Sequence, residues 1–263
     1  AVSANWAHSD AVSLRVPEDV STIAAAVDRL SAAGGVIEVA SGTYDGLVVV
    51  SKPLVKLVCK AAKAVIRGQV VFRECATGAE IRNFCIEVPG SGAGAGAGGA
   101  VDLKGVVGDI TIEDCDIRNE HSAGLVLEGC SGHVHIKNCC IHDCKFDGFG
   151  LHLLKGDISS KGSVTIENSV IKGNGYDGLY LGDPRYLVVL LQSRVCQNQR
   201  YGVLVRGSNF SMEGSTVEEN GEDSVRTEEF VHKQNPRGTQ KVGKAREVVV
   251  DLPEGWRAFR NSE

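Results

Sequence analysis

The chain has 263 residues, of which 43% are hydrophobic and 5% aromatic, so it can bury a sizeable core. Its formal net charge of −5 argues against a nucleic-acid partner, which would favour a basic surface. No apolar run approaches the roughly eighteen residues of a membrane-spanning helix, and no signal-like segment is visible at its start. The sequence therefore predicts neither a nucleic-acid nor a membrane partner.

A short strand and then a helix over residues 21–31 are the first predicted elements. Three apolar residues recur at the spacing of one helical face and two glycines follow them: Ile23, Val27, Leu30, Gly34 and Gly35. A stack of coils exposes unpaired strand edges at its first coil, and a helix packed over that coil covers them. Residues 1–35 are therefore predicted to form an N-terminal strand and a capping helix.

The sequence then repeats a unit of strand, bend, strand, turn and strand. Apolar strands follow a small residue at intervals of 24, 26, 28, 24 and 22 residues, starting from Ala100, Gly124, Gly150, Gly178, Gly202 and Ser224. A unit this short cannot bury its own apolar side chains and must stack on copies of itself. Residues 36–230 are therefore predicted to form an all-β solenoid, a single-stranded parallel β-helix of about seven to eight coils.

Asparagine and aspartate mark the predicted corners of the coils, because they tolerate the left-handed backbone conformation in which other side chains clash. One polar ladder is predicted from Asn83, Asp114, Asn138, Asn168 and Ser193. A second ladder is predicted from Asn119, Asp143, Asn174, Asn198 and Asn220.

Two segments depart from the repeat. The Gly/Ala-rich residues 90–100 are predicted to form a loop at a corner, and residues 231–263 a C-terminal cap or tail.

The start of the first coil resembles that of a known superfamily. A Gly-Gly-x-Ile/Val strand and a Gly-Thr-Tyr turn follow the predicted helix, formed here by Gly34, Gly35, Val36, Ile37, Gly42, Thr43 and Tyr44. Together with the later N-x-x-x-G-[LV] units, they resemble the pectate-lyase-like superfamily of right-handed parallel β-helices over about residues 13–230. The resemblance implies a right-handed solenoid with an N-terminal capping helix. It also covers the substrate-recognising β-helix domain of certain F-box ubiquitin-ligase subunits.

The catalytic signatures of that superfamily are missing from this sequence. The paired aspartates, Gly-His-Gly and Arg-x-Lys of polygalacturonase-like members are not found, nor are the Arg-rich signatures of pectate lyases. The resemblance in fold therefore does not bring an activity with it. It favours the members that use the solenoid for recognition without catalysis.

Nine cysteines, an odd number, bear on the cellular compartment. Cys115, Cys139 and Cys196 fall at predicted inward positions, where a thiol behaves as a small apolar group. Free buried thiols suit a reducing compartment, whereas secreted proteins favour paired cysteines. The sequence therefore predicts an intracellular, cytoplasmic protein. A single sequon at Asn209 is the evidence for the secreted alternative.

Residues 133–144, HVHIKNCCIHDC, contain three histidines and three cysteines and could suggest a zinc site. The alternation of the predicted strand argues against it. His133 and His135 face outward about 7 Å apart, Cys139 points into the core, and the bend puts Cys140 on a different face. The sequence therefore predicts no metal and no other cofactor.

A binding surface is predicted where outward residues of neighbouring coils stack about 4.8 Å apart. His152 and Tyr180 are neighbours in this column and other polar residues flank them, so the predicted ligand-binding residues are His152, Tyr180, Asp102, Glu128, Arg206, Arg226, Tyr176 and Asp177. Aromatic and charged residues on a long rigid face suit an extended ligand.

Three functions are compatible with this surface. The first is a non-catalytic recognition scaffold that binds a protein segment or a glycan. The alternative is a carbohydrate-active lyase, hydrolase or epimerase that uses residues of the same face: Asp102, Glu128, His152, Arg206 or Arg226. The third is a purely structural module of a larger assembly. The sequence favours the recognition scaffold, and fold alone does not assign its use.

Overall fold

A computed structural model describes residues 12–73, 76–90, 98–145, 148–156 and 161–228. Within these ranges the regular structure consists of one helix and 25 short strands, numbered in chain order. Residues 91–97 of the predicted Gly/Ala-rich loop and the predicted C-terminal segment 231–263 lie outside the described residues.

The strands form three parallel sheets, and the chain visits sheet 1, sheet 2 and sheet 3 in turn. Sheet 1 contains β1 (Ser13–Val16), β2 (Gly35–Val39), β5 (Val55–Cys59), β8 (Ala79–Arg82), β11 (Ile110–Glu113), β14 (Gly132–Lys137), β17 (Gly162–Glu167), β20 (Tyr186–Leu191) and β23 (Asn209–Glu213). Sheet 2 contains β3 (Thr43–Asp45), β6 (Ala64–Arg67), β9 (Phe84–Val88), β12 (Asp116–Asn119), β15 (Cys140–His142), β18 (Val170–Lys172), β21 (Arg194–Cys196) and β24 (Thr216–Glu218). Sheet 3 contains β4 (Val48–Val50), β7 (Val70–Arg73), β10 (Val101–Lys104), β13 (Leu125–Glu128), β16 (Leu151–Leu154), β19 (Leu179–Leu181), β22 (Val203–Val205) and β25 (Val225–Thr227).

The chain is a right-handed parallel β-helix of about eight coils, as the sequence predicts. Its core is made by identical positions of successive coils. In sheet 1, Ile81, Ile112, Ile136 and Ile166 pair in register along four neighbouring strands and are fully buried. Each isoleucine packs against the isoleucine of the neighbouring coil. The inward residues of successive strands therefore form one continuous core.

The capping helix α1 (Ile23–Arg29) lies within the predicted range 21–31. The hydroxyl of Thr22 accepts a hydrogen bond from the Ala25 amide at 3.1 Å and so caps the first turn. At the other end the Lys52 ammonium donates to three carbonyls near the helix C-terminus, those of Val27, Asp28 and Leu30, at 2.7–2.8 Å. The Lys52 ammonium thus hydrogen-bonds to carbonyls that have no partner within the helix, and its charge complements the negative end of the helix dipole.

One residue with positive φ forms the corner between sheet 1 and sheet 2 in five successive coils: Asn83 (66°), Asp114 (56°), Asn138 (52°), Asn168 (49°) and Gln192 (46°). The predicted corner ladder is confirmed for the first four of these residues. The prediction of Ser193 is wrong by one position, because Glu167 pairs with Leu191 and therefore Asn168 stacks on Gln192. The left-handed backbone conformation is common to all five residues, and glutamine replaces asparagine at the fifth.

Ser193 belongs to a buried ladder one residue further along. The Ser169 amide donates to the Ser193 hydroxyl and the Ser193 amide to the Ser215 hydroxyl, both at 3.0 Å. The Cys139 amide donates to the Ser169 hydroxyl at 3.1 Å, and Cys115 precedes Cys139 in the same column. The predicted inward positions of Cys115, Cys139 and Cys196 are confirmed, since each is at most 3% exposed.

The second ladder lies between sheet 2 and sheet 3 and is built from side-chain amides. The Asn174 side chain donates to Asn198 at 2.8 Å, and the Asn198 side chain donates to Asn220 at 2.9 Å. Here the prediction of Asp143 is wrong by one position. Asp143 has a φ of 51° and forms the preceding left-handed corner, whereas Cys144 occupies the ladder, where its amide donates to the Asn174 side chain at 3.2 Å.

None of the eight cysteines in the described part of the chain forms a disulfide. Six of them are buried, while Cys85 and Cys140 are half-buried. Among the described residues, the one helix, α1, has seven residues and is too short to cross a membrane. The intracellular location stays a prediction.

The asparagine ladder yields a test of the fold. Replacing Asn198 with Ala should lower the free energy of unfolding by about 2–4 kcal/mol, because buried amide groups of Asn174 then lose their partner. The same change at Asn220, which is half-exposed at the last described coil, should cost about 1 kcal/mol. Urea denaturation of both variants measures the difference. Equal losses would show that the ladder is not a buried network.

Candidate functional site

Residues 174–183, NGYDGLYLGD, show how one coil presents a side chain to the outside. Asn174 fixes the corner, and Gly178 opens strand β19. A Cβ at Gly178 would lie 2.5 Å from Val195 Cγ1 and 2.6 Å from the Gly202 carbonyl oxygen, so only glycine fits there. Alternation then buries Leu179 and Leu181 and points Tyr180 outward.

The predicted outward column of sheet 3 is confirmed in register. Asp102 pairs with Val126, Val126 with His152, and His152 with Tyr180. The column continues from Tyr180 to Leu204 and then to Arg226. Not all of it is accessible, however, because Asp102, Val126 and Leu204 are at most 7% exposed. The half-exposed centre of the column is formed by His152 and Tyr180.

Four rings meet at this centre and form what we call the aromatic cluster: Phe149, His152, Tyr176 and Tyr180. The Phe149 ring centroid lies 4.2 Å from His152, 5.0 Å from Tyr176 and 5.3 Å from Tyr180. The rings of His152 and Tyr180 meet edge to face at 4.9 Å. Such edge-to-face contacts fix the rings relative to one another and keep the surface ordered.

Two arginines border the aromatic cluster. The Arg200 guanidinium lies 4.2 Å from the ring centre of Tyr176 and 4.8 Å from that of Tyr201. Arg206 lies 5.6 Å from the ring centre of Tyr180 and donates to its hydroxyl at 3.3 Å. A guanidinium over an aromatic face gains cation–π attraction and keeps donors free at its edge.

Each arginine is also held by an acid from the next coil. Arg206 Nε donates to Glu228 at 2.6 Å, and Arg200 Nε donates to Glu222 at 3.4 Å. The hydrogen bond to Glu228 raises the pKa of Arg206, so this charge is permanent. The acids therefore orient the arginines over the rings.

Gly182 makes room for the Tyr180 ring. A Cβ at Gly182 would lie 2.6 Å from Tyr180 Cε1 and 3.0 Å from the Leu153 carbonyl oxygen. The ring therefore lies along the strand, over Gly182, rather than standing away from the sheet. In this orientation its face points toward Arg206, which directly follows Val205, the residue paired with Leu181.

His152 is a neutral donor or acceptor under ordinary conditions. Burial among the rings lowers the pKa of its imidazole to about 4. The imidazole of His152 is therefore uncharged near neutral pH. A neutral imidazole offers one N–H donor and one acceptor nitrogen to a ligand.

Asp177 lies behind the aromatic cluster and is fully buried. Its Oδ1 accepts the Tyr201 amide at 3.1 Å, while its Oδ2 is buried without a hydrogen-bond partner among the described residues. Burial raises the pKa of this carboxyl group. Asp177 therefore shapes the turn below Tyr176 and does not face a ligand.

Three of the predicted binding residues lie away from the aromatic cluster: Asp102, Glu128 and Arg226. Asp102 is two coils from His152, is 4% exposed and accepts the Gly99 amide at 2.6 Å. Burial raises the pKa of its carboxyl group. Glu128 pairs with Leu154 in the flanking column. Arg226 lies two coils beyond Tyr180 and pairs with Asp223 at 3.4 Å.

Sequence reasoning missed one member of the site, Phe149. Phe149 precedes the glycine that opens β16 and belongs to a turn, so strand alternation gives no direction for it. It is nevertheless the ring that touches all the others. Arg200 also lies in a turn and reaches the cluster only because its long side chain folds back over Tyr176.

The histidines of residues 133–144 are placed as predicted. His133 and His135 both face outward on β14, with ring centroids 5.8 Å apart. His133 shares a hydrogen bond with the Ser163 hydroxyl at 2.8 Å, and His135 shares one with Glu167 at 2.9 Å. Burial lowers the pKa of His133. Cys139 is buried, and Cys140 lies on a different face, in sheet 2. The two imidazoles and the thiol therefore do not share a site.

Residues 61–181 match a family described as a right-handed beta helix region. The match runs from just before β6 to the end of β19 and so includes His152 and Tyr180. No curated protein matches the chain in sequence.

Several solved structures are similar to the chain. ORF18 of Geobacillus virus E2 is 12% identical with a TM-score of 0.44, over 83% of this chain and 60% of the viral protein. The chain thus spans three fifths of that protein's length. A rhamnogalacturonan lyase is 11% identical with a TM-score of 0.36, over 83% of each chain. Pectate lyase Pel9A is 14% identical with a TM-score of 0.38, over 74% of this chain and 73% of the lyase.

The neutral state of His152 gives a pH-dependent prediction. The unfolded imidazole takes up a proton below about pH 6.5, whereas the folded one stays neutral down to about pH 4. The folded state should therefore lose about 3 kcal/mol of stability as the pH falls from 6.5 to 4. His152→Phe keeps a ring in the cluster and should lack this loss. Urea denaturation of both proteins across this range measures it. Parallel pH curves for parent and variant would contradict the assignment.

Proposed function

We propose that this chain, a right-handed parallel β-helix that resembles the pectate-lyase-like superfamily, is a recognition scaffold that binds an extended glycan along sheet 3 and performs no catalysis on it. The observation that carries the proposal is the aromatic cluster, which is half-exposed on the outer face of the solenoid and bordered by two arginines.

The rings suit the apolar faces of sugars. Edge-to-face packing holds Phe149, Tyr176 and Tyr180 in place before a ligand arrives, so binding orders few side chains. Aromatic side chains combine a large contact area with few rotatable bonds and dominate the energy of many interfaces. Successive coils repeat at about 4.8 Å, which is close to the length of one sugar unit in a chain. A linear glycan therefore fits along the axis.

The polar groups at the border of the cluster supply orientation. Arg200 and Arg206 present guanidinium groups, and a guanidinium binds hydroxyl pairs and carboxylates through parallel N–H donors. His152 adds one donor and one acceptor at neutral pH. This donor-rich border favours hydroxyl-rich or acidic sugars over basic ligands.

The carboxylates of this face give little support to the enzymatic alternative. A glycosidase needs two carboxylates on either side of the scissile bond. Asp102 is buried and accepts the Gly99 amide, Asp177 is buried behind the rings, and Glu228 is engaged by Arg206. Each of these acids is occupied by a structural contact, which supports binding over cleavage.

A binding experiment tests the proposal. The purified chain should bind oligosaccharides on an array of neutral and uronic-acid-containing glycans. The double variant His152→Ala/Tyr180→Ala should bind its best glycan 5- to 150-fold more weakly, about 1–3 kcal/mol, because it removes half of the aromatic surface. Two matched controls are Tyr180→Phe, which keeps the ring, and His135→Ala, which removes an outward imidazole from sheet 1. Both should bind within about threefold of the parent.

Three outcomes would contradict the proposal. If the double variant binds as well as the parent, the aromatic cluster is not the site. If the protein retains extended peptides and no glycan, the ligand is a protein segment. If the parent shortens its oligosaccharide and Glu128→Gln abolishes that activity, the carbohydrate-active alternative replaces recognition.

A further inference from the structure

A second group of reactive side chains lies on the outer face of sheet 2, away from the aromatic cluster. Asp116 on β12 pairs in register with Cys85 on β9 and with Cys140 on β15. His142 follows Cys140 by two residues, so both side chains point outward from the same strand. The stacking of coils therefore assembles a thiol, a carboxylate and an imidazole from two neighbouring strands.

The donor atoms of three of these residues are close enough to share one ion. One oxygen of Asp116, the Cys140 sulfur and one nitrogen of His142 all lie within 4.8 Å of one another. One of these separations, His142 Nε2 to Asp116 Oδ1, is 3.0 Å. Around a tetrahedral zinc ion, with bonds of about 2.0–2.3 Å, ligand atoms lie roughly 3.3–3.7 Å apart. Small side-chain rotations bring the three atoms to that spacing.

An independent observation points in the same direction. The other ring nitrogen of His142, Nδ1, is hydrogen-bonded to the Asp143 carboxylate at 2.7 Å. A metal-ligating histidine almost always donates its second N–H to a carboxylate, carbonyl or water, which fixes the tautomer and orients the ring. Asp143 can do this because it occupies the left-handed corner after β15, with a φ of 51°.

The surroundings also suit a bound ion. Asp116, Cys140 and His142 are all half-buried, with side-chain exposures of 34% for Asp116 and 17% for His142. Arg118, in the flanking column, is held by hydrogen bonds to Glu87. The remaining thiol, Cys85, has its sulfur 3.8 Å from Asp116 Oδ1.

We propose that Asp116, Cys140 and His142 bind a divalent transition-metal ion of the zinc class, with Asp143 as the carboxylate that orients His142. Thiolate, imidazole and carboxylate together are the donor set that zinc prefers, and three protein ligands leave a fourth position for water. The site lies on sheet 2 and is separate from the recognition surface of sheet 3. It reverses the expectation from the sequence, which predicted no metal.

The ion would join two coils, because Asp116 belongs to one and Cys140 and His142 to the next. A ligand that binds only the folded state stabilises it in proportion to the logarithm of its concentration. Zinc should therefore raise the unfolding midpoint of the parent protein. This effect separates the site from the glycan proposal, since it needs no sugar.

Zinc titration of the chelator-treated full-length chain tests the site. Competition with a chromophoric chelator should give one ion whose affinity falls at least 100-fold in Cys140→Ser and His142→Gln. It should fall about 10- to 100-fold in Asp143→Asn, which removes the orienting carboxylate. The matched control is His135→Gln, which breaks a similar imidazole–carboxylate pair on sheet 1 and should leave the affinity unchanged.

Two readouts on the parent protein need no variant. Cobalt should produce a thiolate-to-metal charge-transfer band, and zinc should protect Cys140 from alkylation, as measured by peptide mass spectrometry. Unchanged zinc affinity in Cys140→Ser and His142→Gln, or alkylation of Cys140 at the same rate with and without zinc, would overturn the proposal. Far-ultraviolet circular dichroism of each variant establishes that the solenoid is retained.

Discussion

The structure depends on one constraint, which is that every coil must return the chain to the same register on the coil before it. Hydrogen bonding between parallel strands enforces this register, and a single left-handed residue at the corner makes the return possible. Once it is met, isoleucine stacks on isoleucine in the core and asparagine on asparagine at the corners. A slip of one residue would turn every inward side chain of a strand outward.

The same constraint positions the functional side chains. His152 and Tyr180 are 28 residues apart in sequence and directly adjacent across sheet 3. Asp116 and Cys140 are related in the same way across sheet 2. Both pairs lie on hydrogen-bonded strands and not in loops, so the strands of the solenoid fix the positions of these side chains. A surface built in this way is ordered before its ligand arrives.

Much of this arrangement could be predicted from the sequence, because strand alternation and repeat spacing are local signals. They gave the outward column from Asp102 to Arg226 and the buried positions of Cys115 and Cys139. The corners were less certain. Gln192 and Ser193 are consecutive polar residues. The residue type alone does not show which of the two adopts the left-handed corner and which occupies the ladder position after it. This is why Ser193 was assigned one residue out of place.

Other features depend on side chains from a different coil and leave no local signal. The burial of Asp177, the folding of Arg200 over Tyr176 and the approach of Asp116 to His142 are of this kind. The sequence shows that these residues face outward or lie in turns. The exposure of an outward side chain depends on the side chains that neighbouring coils pack against it. The sequence alone therefore does not show that Asp116 lies beside Cys140 and His142, although donor atoms of the three residues lie within 4.8 Å of one another in the structure.

The asparagine ladder has a consequence for how such a protein changes over evolutionary time. The Asn174 side chain donates to Asn198 and the Asn198 side chain donates to Asn220, so the same contact repeats from one coil to the next. Removing or duplicating one whole rung, about one turn of chain, leaves all remaining rungs matched. Inserting a single residue within a strand breaks them. The length of the rod can therefore grow or shrink only in whole turns, with smaller insertions confined to the loops.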